Sequence, residues 1–392
     1  MARQTTAPSL RERVILLALN GALFGVTYTL TNLAAQQADI TRNVAMAWET
    51  GLPFVPWMIV PYMTSGLLFV LSFLLARDRV ALTALSQRIA CATVTGCAIF
   101  AAWPLRFATS RPDVDAALPA WLYTQLAAMD QPYNQLPSLH VAYCMIFWPA
   151  LRAALPGATA RAALAAWLLL IAASTVFTWQ HHLLDVAGGA LLGAMTLRLL
   201  PAQNQVAAAY ALLAGLALLA WQLAGGMWWL YLCASLLLVA GAYHRNNPAF
   251  LRKRGGGYPW WIWLAYAPYL LGYRLTWLLV RWRERHRPPF TQTSAGLWAG
   301  RRLTVAEAAH LPQGCAIIDL ANELNETPTL RRHDYHHFPL LDLHTPTAQM
   351  AAPILATIHG YLSQGRTVYL HCAMGYRRSR QIAHLYSEYR PQ

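Results

Sequence analysis

Residues 367–379 read TVYLHCAMGYRRS, and their order predicts a strand, a tight turn and then a helix. The apolar residues that open the stretch are typical of a β-strand, and the segment from Ser379 to Tyr389 resembles a helix. A turn between a strand and a helix N-terminus directs backbone N–H groups into one concavity, which binds an anion. The stretch therefore predicts an anion site in a small α/β domain, with residues 297–303 and 315–319 as earlier strands.

Cys372 and Arg378 give this anion site its expected chemistry. A cysteine at the floor of a ring of amides is expected to be a thiolate at neutral pH and therefore a nucleophile. The planar guanidinium of Arg378 matches two phosphate oxygens, and Gly375 and Ser379 complete the predicted phosphate-binding set. A thiolate beneath a phosphate cradle predicts phosphoryl transfer through a phosphocysteine.

The pattern His-Cys-x-x-Gly-x-x-Arg-Ser resembles the cysteine-dependent phosphatases, and among them the dual-specificity class, over residues 291–392. The resemblance implies a general acid on a loop upstream of the cysteine, and Asp342 takes that role. A carboxylic acid can give its proton to the leaving oxygen as the P–O bond breaks. Asp342 as a loop cap is the alternative, and His344 and Asp334 are weaker substitutes for the acid.

The rest of the chain has the composition of a membrane protein. Of 392 residues, 57% are apolar and only 12% are charged. Apolar runs long enough to cross a bilayer recur through the first 243 residues. The predicted spans are 14–34, 54–76, 89–105, 138–155, 162–179, 183–200, 206–223 and 227–243.

The positive residues behind the net charge of +14 are concentrated in the segments predicted to lie on the inner side of the membrane. With an inner N-terminus and eight crossings, most arginines fall in inner segments, whereas the outer ones hold only Arg42, Arg106 and Arg111. The charge thus predicts topology and argues against a nucleic-acid partner. We expect the inner membrane of a bacterium, with the N-terminus and the tail in the cytoplasm. A reducing cytoplasm also suits a reactive Cys372, and the six cysteines show no disulfide framework.

Residues 258–281 are long enough for a ninth crossing, yet basic clusters stand on both sides of them. Such flanks favour a Trp-rich segment that lies in, or re-enters, the inner interface. The predicted organisation is a transmembrane domain over 1–243, a basic interfacial segment and linker over 244–290, and the cysteine domain over 291–392.

Two motifs of the membrane part are predicted to lie at its outer side. The first is Pro-Ser-Leu-His, residues 137–140, and the second ends in His181-His182-Leu-Leu-Asp185. Ionisable residues inside a membrane are costly and are functional by default. If a helix begins at His181, Asp185 lies on the same face and can orient its ring. We expect His182 to be an interfacial bystander.

These motifs resemble the phosphatidic acid phosphatase type 2 (PAP2) superfamily over about residues 50–200. The resemblance implies that His181 attacks phosphorus, His140 protonates the leaving oxygen and Asp185 orients the nucleophile. Ser138, together with Arg106 or Arg111, would bind phosphate, and neither a metal nor another cofactor is implied. The fold expected for the chain is an all-α polytopic bundle of about eight spans with a PAP2-like core, followed by a small α/β cysteine-phosphatase domain.

The third motif departs from the family pattern, because Ser174-Thr175 stands where Ser-Arg is usual. This change resembles the inositol-phosphoceramide and sphingomyelin synthase branch, which transfers phospho-head-groups between lipids. The leading prediction is a membrane phosphatase with a lipid phosphate at the PAP2-like site and a lipid head group or a phosphoprotein at the cysteine site. The alternatives are a head-group transferase with a regulatory phosphatase tail, and a tail that only binds phosphorylated ligands.

Overall fold

The computed structural model describes residues 7–202 and 204–389, and the chain divides between Ala234 and Ser235 into two compact units. The first unit is helical. Its helices are α1 Leu10–Gln37, α2 Ile59–Leu74, α3 Arg79–Ala102, α4 Ala117–Met129, α5 Leu139–Arg152, α6 Gly157–Phe177, α7 Leu183–Leu199 and α8 Gln205–Ala224, and α9 Met227–His244 crosses the division.

Among the described residues, six helices are long and apolar enough to cross a bilayer, namely α1, α2, α3, α6, α8 and α9. They mark the protein as a membrane protein. Helices α5 and α7, which cover the predicted fourth and sixth spans, have 14 and 17 residues. Both are shorter than the roughly 20 residues that a full crossing needs. The eight-span topology therefore stays a prediction.

Helices α3 and α5 form the centre of the first unit. Ile89 and Phe100 of α3 and Phe147 of α5 are buried in one apolar cluster. The Thr93 and Tyr143 hydroxyls share a hydrogen bond of 2.7 Å inside that cluster. Because polar side chains inside a helical bundle need partners, this bond joins α3 to α5 at a fixed register.

Small residues let α7 approach α5 closely. A Cβ on Gly189 would lie 2.3 Å from the carbonyl oxygen of Ser138, and one on Gly193 would lie 2.6 Å from Met145 Cβ. Only glycine fits at these two positions without moving backbone. This contact brings the start of α7 beside the start of α5, and with them the two membrane motifs.

The second unit contains a five-stranded mixed sheet within its described residues. Its elements are α10 Trp260–Arg283, β1 Phe290–Ser294, β2 Leu297–Arg301, α11 Val305–Ala308, β3 Ala316–Asp319, β4 Tyr335–His337, α12 Ala348–Ser363, β5 Val368–Cys372 and α13 Arg378–Glu388. The strand order is β1-β2-β5-β3-β4, in which β1 is antiparallel to β2 and the remaining pairs are parallel.

Strand β5 is the central strand, and each of its residues is buried. A parallel strand covered on both faces needs a continuous apolar run, as residues 367–370 provide. Leu370 packs with Ile354 of α12 and Ile382 of α13 in the main core of the sheet. The predicted strand, turn and helix are confirmed, because β5 ends at Cys372 and α13 begins at Arg378.

Candidate active sites

His140 and His181 face each other in the first unit. His140 lies in the first turn of α5, His181 lies just before α7, and their ring centroids are 6.3 Å apart. The Tyr62 ring stacks on His140 with centroids 4.3 Å apart, which fixes the plane of that imidazole. The gap between the two imidazoles has the width that a tetrahedral phosphorus group needs to meet both.

Asp185 is held beside His181 by the start of the helix. Its Oδ2 accepts the backbone N–H of His182 at 2.8 Å and lies 3.6 Å from His181 Nδ1. Helix α7 begins at Leu183, as the predicted sixth span does, so His181 precedes the helix. The carboxylate reaches the ring from the first turn of α7, so the pairing survives with His181 outside the helix.

Three buried polar atoms of this site make no hydrogen bond to described residues, although one of them, His181 Nδ1, faces Asp185 Oδ2 at 3.6 Å. Among residues 7–202 and 204–389, Ser138 Oγ, His181 Nδ1 and Asp185 Oδ1 are buried without a hydrogen bond. The Ser138 N–H is itself engaged, since it donates to the Asp185 carbonyl at 2.9 Å. Unpaired buried polar atoms are destabilising, and their convergence here favours a polar ligand.

His182 is not the interfacial bystander that the sequence predicted. Its ring is buried, its Nδ1 lies 2.8 Å from Glu49 Oε2, and it stacks on Phe107 with centroids 4.4 Å apart. Glu49 also accepts the backbone N–H of Leu183 at 3.2 Å. This carboxylate therefore fixes the peptide that carries His181. Glu49 belongs to no recognisable motif and was therefore not identified from the sequence.

Arg106 and Arg111 do not line the cavity that the two histidines share. They line a polar cavity of about 560 Å³, whereas His140 and His181 line an apolar cavity of about 380 Å³. Asp130 lines both cavities, and its Oδ1 accepts the Tyr28 hydroxyl at 3.0 Å. The predicted phosphate ligands are thus next to the histidine site rather than inside it.

Cys372 ends β5 in the second unit and is buried at the floor of a turn. The Gly375 N–H donates to its sulfur at 3.3 Å, and Ser379 Oγ lies 3.5 Å from it. Gly375 has φ 76°, and a Cβ there would lie 2.9 Å from the Arg301 nitrogen. Glycine is therefore required for the loop to close over the sulfur.

In the part of the chain that the structure describes, the Arg378 guanidinium forms hydrogen bonds through Nη1 but not through Nε. Nη1 lies 3.0 Å from both carboxylate oxygens of Glu323 and donates to the Leu340 carbonyl at 2.8 Å. Among the described residues, its buried Nε has no hydrogen-bond partner. Burial by itself would lower the pKa of Arg378, but the Glu323 and Asp342 carboxylates outweigh it and raise that pKa. The Nε–H is therefore a charged donor that makes no hydrogen bond in the described chain and faces the Asp342 carboxylate.

The structure brings Asp342, and not Asp334, to Arg378. Asp342 Oδ1 is 3.5 Å from Arg378 Nε, and its Oδ2 accepts the Tyr273 hydroxyl at 3.0 Å. Asp334 instead pairs with Arg366 at 2.5 Å. Within the described residues, the hydrogen bond of His344 joins its Nδ1 to the main-chain oxygen of Asp342, at 3.2 Å. Neither Glu323 nor Tyr273 was identified from the sequence, because neither belongs to a recognisable motif.

His371 lies in a buried charge network behind Cys372. Its Nε2 is 2.9 Å from Glu326, its Nδ1 is 3.8 Å from Asp319, and Lys253 Nζ is 2.5 Å from Asp319. Burial by itself would lower the pKa of His371, but the two carboxylates outweigh it and raise that pKa. The carboxylates and His371 are close enough to hold a cation, yet the Lys253 ammonium already neutralises Asp319.

Comparison with known proteins gives a family match within the membrane part. No curated protein and no solved structure matches the chain. The apposed histidines, Asp185 and the unpaired Ser138 hydroxyl all fall inside a segment that does have a family match. Residues 57–199 match the PAP2 superfamily.

Proposed function

We propose that this protein is a membrane-bound phosphatase with a lipid-phosphate site in its helical unit and a cysteine site in its tail. The observation that carries the proposal is the pair His140 and His181, with ring centroids 6.3 Å apart within the PAP2-matching segment and His181 buried. A PAP2 match supports phosphatase or phosphotransferase chemistry on lipid phosphates. We place the membrane site outside and the tail in the cytoplasm of a bacterial inner membrane, on the distribution of arginines.

At the membrane site His181 is the nucleophile. Asp185 faces its Nδ1, so Nε2 is the atom that attacks phosphorus. The P–O bond to the lipid breaks as the P–N bond forms, and His140 gives its proton to the leaving oxygen. Water then attacks the phosphohistidine and His140 takes one of its protons, which releases inorganic phosphate and restores both rings.

A lipid substrate is favoured by the cavity next to the histidines. Tyr62, Phe69 and Leu139 are among its walls, and its volume of about 380 Å³ accommodates part of a hydrocarbon chain. The polar cavity beside it would take the exposed end of the head group through Arg106 and Arg111. Apolar walls with a few convergent polar groups are typical of small-molecule sites.

At the tail site Cys372 attacks phosphorus and Asp342 protonates the leaving oxygen. The loop amides and Arg378 Nε stabilise the charge on the phosphoryl oxygens. Water then cleaves the phosphocysteine, with the Asp342 carboxylate accepting a proton from it. The role of Asp342 is supported by its position 3.5 Å from Arg378 Nε.

Head-group transfer is the second candidate for the membrane site. The polar and apolar cavities share Asp130 as a wall, so a second hydroxyl-bearing molecule has room next to the phosphohistidine. In that reaction a lipid hydroxyl replaces water as the acceptor. Ser174-Thr175, where the family usually has Ser-Arg, is consistent with this branch.

Assays of the full chain in proteoliposomes distinguish hydrolysis from head-group transfer. With a labelled lipid phosphate and the tail silenced by Cys372→Ser, we expect release of inorganic phosphate, its loss when His181→Ala is added, and no loss when His384→Ala, a matched exposed histidine, is added instead. A labelled second lipid as the main product would favour transfer. Phosphate release that persists in the double variant Cys372→Ser, His181→Ala would remove the membrane site as its source.

A further inference from the structure

Both ends of α10 are bound to the sheet of the second unit. Ahead of the helix, Lys253 Nζ lies 2.5 Å from Asp319, and the Gly256 carbonyl accepts the Glu326 N–H at 2.7 Å. Behind it, Glu284 accepts the Tyr376 hydroxyl at 2.8 Å. Helix α10 has 24 residues with a kink at Tyr266, and a crossing of the bilayer would place its two ends on opposite sides. Helix α10 therefore lies along the domain.

The helix has a buried face and an exposed apolar face. Leu270 and Trp277 are buried against the domain. Another face carries large apolar side chains in steps of four, three and four positions, which places them on one stripe. The stripe is Leu271, Leu275, Leu278 and Trp282, which are 50%, 65%, 43% and 66% exposed.

Positive charge surrounds this apolar stripe. Arginines precede the helix, occupy its last turn and follow it, namely Arg252 and Arg254, Arg281 and Arg283, and Arg285 and Arg287. Several stack on helix tryptophans, as Arg252 does on Trp261 at 5.1 Å. An apolar stripe with basic, tryptophan-rich flanks is the composition of helices that lie in the interface of anionic membranes. The chain that precedes the helix also holds it near a bilayer, because it carries membrane-spanning candidates.

The other side of α10 forms a wall of the cysteine site. The Tyr273 hydroxyl donates to the Asp342 carboxylate at 3.0 Å, and Trp277 packs in a cluster with Ala373, which directly follows Cys372. A polar cavity of about 370 Å³ opens between the end of the helix and the loop, lined by Arg283, Glu284, Arg287 and Tyr376. This cavity gives the remainder of an anionic head group a place beside the loop that follows Cys372.

We propose that α10 docks the tail on an anionic lipid surface through the stripe, and that Cys372 acts on a phosphomonoester carried by a membrane lipid. The occupant of the stripe is the bilayer, and the lipid head group enters beside Arg283 and Arg287. The inference rests on the proposed phosphatase activity of the cysteine site. It narrows the substrate from any phosphomonoester to one presented at the membrane.

Photocrosslinking of the full chain in liposomes tests the docking surface. A benzophenone side chain at Leu275 is expected to form adducts with phosphatidylglycerol in phosphatidylcholine vesicles. The matched control is the same group at Val305, an exposed aliphatic position on the tail outside α10. Adducts of Leu275 with protein, whether the same copy or a second one, or a lipid yield no higher than that of Val305, would overturn the proposal.

Substrate preference supplies the second test, with the membrane site silenced by His181→Ala. The rates compared are those on vesicle-borne phosphatidic acid and phosphatidylinositol phosphates and on water-soluble p-nitrophenyl phosphate. Leu271→Ser with Leu275→Ser should lower the lipid-to-soluble ratio by about tenfold or more, because each leucine loses its burial in the interface. Val305→Ser should leave the ratio as it was.

The outcomes separate this inference from the function on which it rests. If Cys372→Ser leaves hydrolysis of p-nitrophenyl phosphate unchanged, the cysteine site itself is not a phosphatase. If that hydrolysis depends on Cys372 but the lipid-to-soluble ratio does not respond to the stripe, the docking is wrong. Faster turnover of a soluble phosphotyrosine peptide than of any vesicle-borne phosphomonoester would contradict it as well.

Discussion

At the scale of single residues, the tail site depends on how one buried arginine divides its hydrogen bonds. Glu323 and the Leu340 carbonyl hold Nη1 of Arg378, whereas Nε makes no hydrogen bond among the described residues and faces the Asp342 carboxylate at 3.5 Å. A guanidinium fixed in this way needs no reorganisation to bind a phosphoryl group. The sequence predicted Arg378 from the motif but could not predict Glu323, because only the fold brings that carboxylate to it.

Arg378→Lys should disable the tail site. A lysine ammonium cannot hold both the Glu323 carboxylate and a phosphoryl oxygen in the plane that the guanidinium provides. We expect kcat/KM for p-nitrophenyl phosphate to fall roughly a hundredfold or more in full-length protein that also carries His181→Ala. Arg380→Lys is the matched control. A variant that retains a third of the parent activity would contradict this assignment.

Asp342→Asn should slow substrates with poor leaving groups more than those with good ones. The reason is that an amide cannot give a proton to a poor leaving oxygen, whereas p-nitrophenolate leaves without one. Tyr273→Phe should move the leaving-group dependence in the same direction by a smaller amount, since it removes the hydroxyl that positions Asp342. The measurement is kcat across a series of aryl and alkyl phosphates. Equal losses across the series would exclude Asp342 as the acid.

His371→Gln should destabilise the tail more in acid than in alkali. The folded pKa of His371 is raised by Glu326 and Asp319, which outweigh the effect of burial. The charged ring therefore stabilises the fold fully below the unfolded value of about 6.5, and this contribution is lost as pH rises through the folded pKa. Thermal unfolding of both proteins across pH checks this. A difference that grows towards alkaline pH would contradict it.

At the scale of elements, a close contact between α5 and α7 positions the membrane site, and a buried ion pair holds residues before α10 to the sheet of the tail. Helix α7 meets the Ser138 peptide where Gly189 leaves no side chain. In the tail, the Lys253 ammonium reaches Asp319 at 2.5 Å and the Ala321 carbonyl at 2.9 Å. The segment read as a linker therefore contributes a buried ion to the sheet domain.

Gly189→Ala should abolish hydrolysis of lipid phosphate at the histidine site while the tail stays active on p-nitrophenyl phosphate. The new methyl group would lie 2.3 Å from the Ser138 oxygen, so α5 and α7 must separate and the two histidines move apart. Gly25→Ala on α1, which meets nothing within 4 Å, is the control. Both activities are measured on one preparation. Wild-type hydrolysis of lipid phosphate by Gly189→Ala would show that this contact does not set the site.

Lys253→Met should unfold the tail at lower temperature. The change leaves the Asp319 carboxylate buried without its cation, which costs about 3–5 kcal/mol for a broken buried pair. Arg254→Met, at the exposed neighbour, should have almost no effect. Thermal unfolding of the full chain, followed by proteolysis of the tail, measures the difference. An unshifted transition would mean that residues 244–258 are only a linker.

Sequence reasoning succeeded where function imposes a local pattern and failed where partners are distant in the chain. The strand and helix around Cys372 follow from a contiguous stretch, and so does the pairing of His181 with Asp185. The start of α7 at Leu183 agrees with the predicted sixth span, and His182 forms the extended N-cap ahead of it. Glu49 and Lys253 were not identified, since their partners are far along the chain and no spacing rule connects them.

At the scale of the whole molecule, the two units are proposed to carry two reactions. Cys372→Ser should remove hydrolysis of p-nitrophenyl phosphate and spare that of lipid phosphate at the histidine site, and His181→Ala should do the reverse. Assays of both single variants and the double variant in the same proteoliposomes check this. Loss of both activities in either single variant would show that the sites are coupled.

The account depends most on His181 accepting a phosphoryl group from a lipid. The direct measurement is rapid quenching of the full chain with phosphatidic acid labelled at phosphorus, followed by peptide mapping. We expect an acid-labile, base-stable phosphohistidine on His181 that is absent from His181→Ala. Label that remains in His181→Ala, or catalytic turnover with no label on His181 at any time, would contradict the account.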